Sequence, residues 1–168
     1  MFAALIVPAL RGGVGKCASV HKQSVIRLSI NVVENRGREI LLLRRNPHAR
    51  LGAGLWGFPA GRIEPRETPS QCALRELAEE IGAEHRIASI ATLGPIRDTF
   101  YGGIFEIYLF HHRWLAGRIV LNHEHTQYAW VGRKMYKCYS VMDGIDEDLA
   151  YLDVWPHRFL NQDKLPPR

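Results

Sequence analysis

Cysteine is scarce in this sequence, and its three copies are scattered. Cys17, Cys72 and Cys138 lie far apart among the 168 residues, and no CxxC pair occurs. An odd, dispersed set argues against a disulfide framework and against a cysteine-ligated zinc site. Because reduced cysteines are the rule in the cytoplasm, we expect a cytoplasmic protein.

Long hydrophobic runs are also lacking. The most apolar stretch is the start, MFAALIVPALR, which is apolar for about ten residues and has no positive charge before it. A membrane-spanning helix needs ~20 apolar residues, so we expect no membrane segment. We interpret residues 1–20 as an N-terminal extension or edge strand, and residues 21–168 as one domain.

The charge of the chain is basic but unevenly distributed. Lys and Arg number 22 against 17 Asp and Glu, which gives a net charge of +5 and favours anionic partners such as nucleotides. Residues 61–83 hold five acids and three bases, so this segment is −2 and the remainder is +7. The contrast suggests a cation site beside an anion site, although an ordinary acidic helix surface gives the same count.

The hydrophobic pattern predicts a single domain of mixed α/β (α+β) class. Residues 27–45 read as a hairpin whose second strand, residues 40–43, is buried on both faces. A loop follows over residues 46–54. Further strands are expected over residues 102–110, 118–121 and 127–131, and one or two short helices over residues 135–155.

One helix is delimited by its end signals. Thr68 can serve as N-cap, Pro69 occupies the first helical position, and Gln71 completes a capping box. Gly82 is placed to end the helix. The sequence therefore predicts a helix from Pro69 to Ile81.

Three glutamates, Glu76, Glu79 and Glu80, crowd one side of this helix; we call them the helix glutamates. At 100° per residue they fall within an arc of about 100°, opposite an apolar stripe. The stripe comprises Leu74, Leu77, Ala78 and Ile81. Like charges on adjacent turns repel, and a divalent cation would compensate for them. Oxygen ligands suit Mg²⁺ or Mn²⁺ better than zinc, although a solvated acidic face remains the alternative.

The segment GRIEPRETPSQCALRELAEEIGA, residues 61–83, resembles the signature of the Nudix hydrolases. That signature reads G, five residues, E, seven residues, RE, an aliphatic residue, any residue, EE, any residue, G, an aliphatic residue. The matching positions are Gly61, Glu67, Arg75, Glu76, Leu77, Glu79, Glu80 and Gly82. Ala83 departs from the larger aliphatic that is usual there. The resemblance implies a mixed β-sheet sandwiched between helices, and hydrolysis of nucleoside diphosphates linked to another moiety.

The resemblance also implies roles for the residues of the signature. The helix glutamates would bind Mg²⁺, with Mn²⁺ as a substitute, and one of them would polarise the attacking water. Arg75 and Glu67 would pair and orient the helix glutamates. Gly61 would allow close approach, and a backbone carbonyl at Ala60 or Gly61 would complete the metal coordination.

Histidines and one acid after the signature offer further candidates. Glu124 lies in a segment that resembles the region in which many Nudix enzymes carry an extra metal ligand or base. His123 and His125 could share one face of a strand and bind a transition metal, or be surface residues. His111 and His112 are expected to be strand-end residues rather than ligands.

The substrate is predicted to be a nucleotide-type diphosphate. Tyr101 stands at a spacing that resembles dinucleoside polyphosphate hydrolases, where a tyrosine stacks on a base. Arg44 and Arg45 could bind phosphates, whereas Trp56 and Phe58 are expected to pack the loop before the helix. The alternatives are a dinucleoside polyphosphate hydrolase and a non-catalytic nucleotide- or RNA-binding module of the same fold. A nucleic-acid partner is not expected, and a homodimer is left open.

Overall fold

A mixed β-sheet of seven strands organises the protein in this computed structural model, which describes residues 25–165. The strands are β1 (Ile26–Glu34), β2 (Ile40–Arg45), β3 (Trp56–Gly57), β4 (Ala60–Arg62), β5 (Arg86–Arg97), β6 (Phe105–Ala116) and β7 (His125–Val131). The helices are α1 (Pro69–Ile81), α2 (Ile145–Tyr151) and three short 3₁₀ turns, Tyr136–Cys138, His157–Phe159 and Gln162–Lys164. The expected N-terminal extension, residues 1–20, lies outside the described residues. None of the helices within residues 25–165 has the length and apolarity to cross a membrane.

The sheet is built around a parallel pair at its centre. The strand order is β3-β2-β1-β6-β5, with β4 added to β1 and β7 added to β2. β1 and β6 run parallel over nine residue pairs, from Ile26 opposite Phe105 to Glu34 opposite Arg113, and every other strand pair is antiparallel. The expected hairpin is present, but β1 and β2 pair only where Glu34 faces Ile40. Beyond that point the two strands diverge, so that β1 pairs with β4 and β2 pairs with β3.

The two faces of the sheet carry separate hydrophobic clusters, as the burial of β2 requires. All four residues 40–43 are fully buried, which confirms the prediction from sequence. Ile40 and Leu42 point into the cluster that includes Leu149 of α2. Leu41 and Leu43 point into the cluster that includes Leu77 of α1. The mixed sheet is therefore sandwiched between helices, which confirms the predicted fold class.

The predicted bounds and caps of α1 are confirmed. The Thr68 hydroxyl accepts a hydrogen bond from the Gln71 backbone N–H at 3.3 Å, and the Gln71 side chain accepts one from the Thr68 backbone N–H at 2.9 Å. Gly82 follows the helix with φ at 85°, a conformation that favours glycine. The helix therefore ends where its sequence signals place the end.

The predicted orientation of α1 is wrong. The buried residues of the helix are Cys72, Ala73, Leu77, Glu80 and Ile81. Leu74, assigned to the apolar stripe, is 53% exposed, whereas Glu80 is only 2% exposed. The acidic arc is thus not opposite the packed face. The reason is that β4 packs against α1 through its backbone, which offers Glu80 a hydrogen bond.

Two further expectations from sequence are wrong. Residues 118–121 have no regular secondary structure and do not form a strand. This segment caps α1, because the Val120 backbone N–H donates to the Ile81 carbonyl at 3.0 Å. His111 and His112 lie inside β6 and are buried, so they are not strand-end residues. The Glu34 carboxylate lies 3.3 Å from His111 Nε2, and Asn31 Oδ1 lies 3.2 Å from His112 Nε2.

Candidate functional site

The Glu80 carboxylate lies at the contact between α1 and β4. Its Oε2 accepts a hydrogen bond from the Ala60 backbone N–H at 3.1 Å. Burial, reinforced by the charge of Glu76, raises the pKa of Glu80 from an ordinary 4.5 to about 9. A carboxylate that is charged in this position therefore needs a positive partner.

The Glu76 carboxylate lies against the backbone of Gly61. Any Cβ at residue 61 would overlap this carboxylate, so glycine is required there for steric reasons. Arg75 Nη1 donates to Glu76 Oε1 at 2.6 Å. Burial nevertheless raises the pKa of Glu76, and the charges of Glu79 and Glu124 act in the same direction. The expected close approach at Gly61 is thus present.

The Arg75 guanidinium connects the acidic residues of the signature. It donates two hydrogen bonds to the Glu67 carboxylate, at 2.8 and 3.1 Å, and one to Glu79 at 3.2 Å. A further bond to the Arg62 carbonyl, at 3.1 Å, fixes it to β4. Arg75 holds the pKa of Glu67 down at about 2, and Glu67 in turn raises the pKa of Arg75. The expected pairing of Arg75 with Glu67 is present, and its orienting role stays a prediction.

Two residues outside α1 act electrostatically on the buried carboxylates. Glu124 is exposed in the turn before β7, and its charge raises the pKa of both Glu76 and Glu80. The Arg45 charge lowers the pKa of Glu80. Glu124 and Arg45 therefore both act on the helix glutamates, and they do so with opposite charges.

The donor set fits a hard divalent cation. Within residues 25–165, no group of three or more His, Cys, Asp or Glu side chains is already gathered around one point. The side chain of Glu79 is 55% exposed and bonded to Arg75, so it stands apart from Glu76 and Glu80. The carboxylate of Glu80 is buried and that of Glu76 is half-buried, and their like charges repel one another. A cation that accepts oxygen ligands would relieve this repulsion.

A cavity of about 230 Å³ adjoins the carboxylates, since Ala60 and Gly61 form part of its wall. Its apolar lining comprises Leu28, Ile30, Leu51, Phe58, Phe100, Tyr101, Phe105, Ile107, Met142 and Ile145. The Tyr101 ring packs edge-on against Phe105, with ring centroids 5.4 Å apart. The expectation for Phe58 was incomplete, because this residue lines the cavity as well as packing in the core.

The two arginines expected to bind phosphate differ in position. Arg45 lines the cavity beside Ala60 and Gly61. Arg44 does not line it, because its exposed guanidinium bonds to the Gly54 carbonyl at 3.2 Å and to Gln127 at 3.4 Å. The alternation of β2 turns the two side chains to opposite faces. The prediction of a phosphate role for Arg44 therefore has no geometric support.

Acidic residues in the cavity were missed from the sequence. Asp98 accepts hydrogen bonds from the backbone N–H groups of Tyr101 and Phe105. Glu147 accepts bonds from the Thr99 and Tyr151 hydroxyls, at 2.8 and 3.1 Å. The run IDEDLA could have indicated a buried acid. Three consecutive residues on a helix point in different directions, so acids flanked by apolar Ile145 and Leu149 cannot all face water.

Asp148 differs from Asp98 and Glu147 in its surroundings. It is 5% exposed and lines the cavity, yet no donor among the described residues bonds its side chain. Burial, and then the charge of Glu147, raises its pKa well above the ordinary value of 3.8. A carboxyl that keeps its proton can donate one hydrogen bond and accept another.

The candidate histidine pair does not present one face. His125 begins β7 and is 6% exposed, whereas His123 lies in the preceding turn and is exposed. The transition-metal alternative for this pair therefore has no support in the described part of the chain.

Curated relatives match stretches of the chain at moderate identity. The CTP pyrophosphohydrolase of Escherichia coli (strain K12) is 33% identical over 99 residues, covering 59% of this chain and 59% of that protein. The 8-oxo-dGTP diphosphatase of Proteus vulgaris is 36% identical over 59 residues, covering 35% of this chain and 52% of that protein. The chain thus spans about half the length of the curated relatives it matches.

Solved structures match the fold over most of the chain. The MutT protein from Methanosarcina mazei Go1 has a TM-score of 0.60 at 23% identity, covering 79% of this chain and 95% of that one. The E. coli ORF135 protein has a TM-score of 0.54 at 26% identity, and the match covers 81% of this chain and 96% of that one. The NUDIX domain family matches residues 25–146, which include the whole signature, α1 and β1 to β7. The chain therefore belongs to the NUDIX domain family.

Proposed function

We propose that the chain is a divalent-metal-dependent pyrophosphohydrolase that cleaves a diphosphate bond in a nucleoside diphosphate linked to another moiety. One observation carries the proposal: the half-buried carboxylate of Glu76 and the buried carboxylate of Glu80 lie against Gly61 and Ala60, and these two residues also line an aromatic cavity. Such a site places a cation-binding centre beside a pocket for a planar ring. The names of the relatives, a pyrophosphohydrolase and a diphosphatase, support the same reaction class.

The helix glutamates and the Gly61 carbonyl would hold Mg²⁺, with Mn²⁺ as the substitute, because these ions prefer oxygen ligands. When bound, such an ion would neutralise the negative charge of the phosphates and lower the pKa of the attacking water. The chain itself holds its ligands in place. The Ala60 N–H orients Glu80, and Arg75 orients Glu76 and Glu79.

Proton transfer is assigned to Glu124. This residue is exposed, so it can exchange its proton with solvent, and its charge acts on both Glu76 and Glu80. Its backbone is fixed, because the Glu124 N–H donates to Asn122 Oδ1 at 3.0 Å and its carbonyl accepts from Asn46 at 2.7 Å. Glu124 would therefore accept the proton of the attacking water or contribute an additional ligand.

The cavity would hold the base of the substrate. Its 230 Å³ lies below the ~300–1,000 Å³ of pockets that enclose a drug-sized ligand, so it suits one ring system and not a whole nucleotide. Tyr101 and Phe105 offer aromatic surfaces, and a protonated carboxyl of Asp148, which lines the cavity, would bond the polar edge of a base. Arg45 lines the cavity and its charge acts on Glu80, so it would bind phosphate.

A nucleoside triphosphate or a similar single-base substrate fits these dimensions best. A dinucleoside polyphosphate is the second candidate, because Tyr101 lies in the cavity with its ring available to a base. Its second base would then lie outside the cavity.

A substrate screen that separates and identifies the nucleotide products tests the proposal, because cleavage of the diphosphate bond releases a nucleoside monophosphate together with pyrophosphate or a phosphorylated second product. Nucleoside triphosphates, dinucleoside polyphosphates, nucleotide sugars and dinucleotide cofactors would be compared in Mg²⁺, in Mn²⁺ and in excess chelator. We expect metal-dependent turnover of at least one class, loss of turnover in Glu80→Gln, and normal turnover in Glu84→Gln, an exposed glutamate outside the site. Full activity in chelator or in a Glu79→Gln, Glu80→Gln double variant contradicts the proposal. Nucleotide binding without turnover supports the non-catalytic alternative.

A further inference from the structure

The segment after residue 146, where the NUDIX match ends, returns to the cavity at Lys164. Lys164 ends the 3₁₀ turn Gln162–Lys164. Its ammonium donates to the Val141 carbonyl at 2.7 Å and lies 3.2 Å from Asp143 Oδ1. We call residues 141–144 the cavity lip, because Met142, Asp143 and Gly144 belong to the cavity wall.

The cavity lip is held from three directions. On the side of β3, the Met142 backbone N–H donates to the Trp56 carbonyl at 2.9 Å. Across the cavity, the Tyr101 hydroxyl donates to the Asp143 carbonyl at 3.5 Å, a long and therefore weak bond. Lys164 supplies the third attachment, and among the described residues it is the cation paired with Asp143. Its bond to Val141 is charge-assisted and short, which marks it as the stronger side-chain attachment.

Residues 161–164 of this segment are also anchored to α2. The Asp146 carboxylate accepts from the Asn161 backbone N–H at 2.7 Å and from the Asn161 side chain at 3.1 and 3.3 Å. Since α2 carries Asp148 of the cavity wall, the segment joins α2 to the cavity lip. An exposed lysine side chain ordinarily keeps its conformational entropy, whereas the two contacts of Lys164 with the lip reduce the conformational entropy of its side chain.

We propose that Lys164 is a positioning residue for the substrate cavity, which it does not itself line. It holds the cavity lip where the Tyr101 hydroxyl reaches the Asp143 carbonyl, and so sets the fit of the bound ring. The identity of the ligand rests on the proposed function, whereas the attachment of the lip does not. The inference predicts that loss of Lys164 weakens substrate binding and leaves the chemical step intact.

Three variants separate this role from a general contribution to folding. Lys164→Met removes the ammonium and keeps the aliphatic length, and Lys164→Arg restores a cation. Lys137→Met is the control with the same change of charge, because Lys137 is exposed in another 3₁₀ turn and does not line the cavity. For Lys164→Met we expect KM to rise roughly tenfold, the scale of one lost charge-assisted hydrogen bond, with kcat changed less than twofold. Lys164→Arg should recover part of the loss, and Lys137→Met should match the wild type.

Hydrogen–deuterium exchange gives a readout that needs no turnover. We expect faster exchange in the peptide that covers residues 140–145 of Lys164→Met, and no change there in Lys137→Met. Wild-type KM together with wild-type exchange in Lys164→Met overturns the inference. A lowered melting temperature with unchanged KM also overturns it, since that result shows a structural role alone. Absence of hydrolysis in the wild type defeats the proposed function, but the exchange comparison still tests the attachment of the lip.

Discussion

The Glu76 carboxylate occupies the space that a side chain at residue 61 would need. The two residues belong to different elements, because Gly61 lies in β4 and Glu76 on α1. The φ angle of Gly61 is not in the left-handed region, so the backbone there would accept alanine without strain. Glycine at this position is therefore required by the carboxylate alone.

Gly61→Ala should consequently impair function more than stability. The three atoms nearest to such a methyl group belong to the end of the Glu76 side chain, which can rotate away. We expect turnover to fall at least roughly tenfold, as for a misplaced catalytic group, while the melting temperature changes little. Enzyme assays and thermal unfolding of the same preparations check this.

Gly132→Ala is the matched control. The nearest atom to a methyl group at residue 132 is Glu39 Cγ at 3.8 Å, an ordinary contact distance. This variant should keep both activity and stability. A large loss of stability in Gly61→Ala, with activity per folded molecule preserved, would contradict the steric account.

The helix and its signature could be predicted because their determinants are local. Thr68, Pro69 and Gln71 set the start of α1 through contacts within four residues, and Gly82 sets its end. The double burial of β2 could also be predicted, since an uninterrupted apolar run has no solvent face. These features depend on the order of residues alone.

The orientation of α1 could not be predicted in this way. Leu74 is more apolar than Glu80, yet Glu80 is buried because the Ala60 N–H compensates for its burial. That donor belongs to β4, a strand of three residues with no periodic signal. β5 was missed for a related reason: it is an edge strand with both faces largely exposed and three register shifts, so it has no regular alternation.

The Arg75 contacts predict the effect of changing this residue. Arg75→Lys keeps the charge but loses the planar pair of bonds to Glu67, so it cannot hold Glu76 and Glu79 as well. We expect turnover to fall roughly 10–100-fold, the usual cost of losing a group that orients metal ligands. Steady-state kinetics of Arg75→Lys, Glu67→Gln and the double variant test this. Since the two residues act as one unit, fully additive losses would contradict the prediction.

Divalent metal should stabilise the folded protein through Glu80. A ligand that binds only the folded state, at 100 times its Kd, adds about 2.7 kcal/mol to the free energy of unfolding. We therefore expect saturating Mg²⁺ to raise the melting temperature of the wild type by several degrees. Glu80→Gln should lose most of this rise, and Glu84→Gln should retain it. An equal rise in all three proteins would place metal binding elsewhere.

Asp148 predicts a pH dependence of stability. Its folded-state pKa is raised above the ordinary 3.8, because ionisation within the cavity wall is unfavourable. Between those two pKa values the unfolded chain binds fewer protons than the folded chain, so the contribution of Asp148 to stability decreases as pH rises. The slope for one such proton is at most about 1.4 kcal/mol per pH unit. Asp148→Asn removes the titration while keeping the shape of the side chain.

Urea unfolding at a series of pH values would measure this difference. We expect the wild type to lose stability relative to Asp148→Asn as pH rises from 4 towards neutrality, with ~4 being the ordinary pKa of the group. Asp163→Asn serves as the control, because Asp163 is an exposed acid of the C-terminal 3₁₀ turn and should give a profile parallel to the wild type. Parallel profiles for Asp148→Asn and the wild type would mean that Asp148 is solvated in the folded protein. Its carboxyl would then be ionised at neutral pH and could not donate a hydrogen bond to the edge of a base.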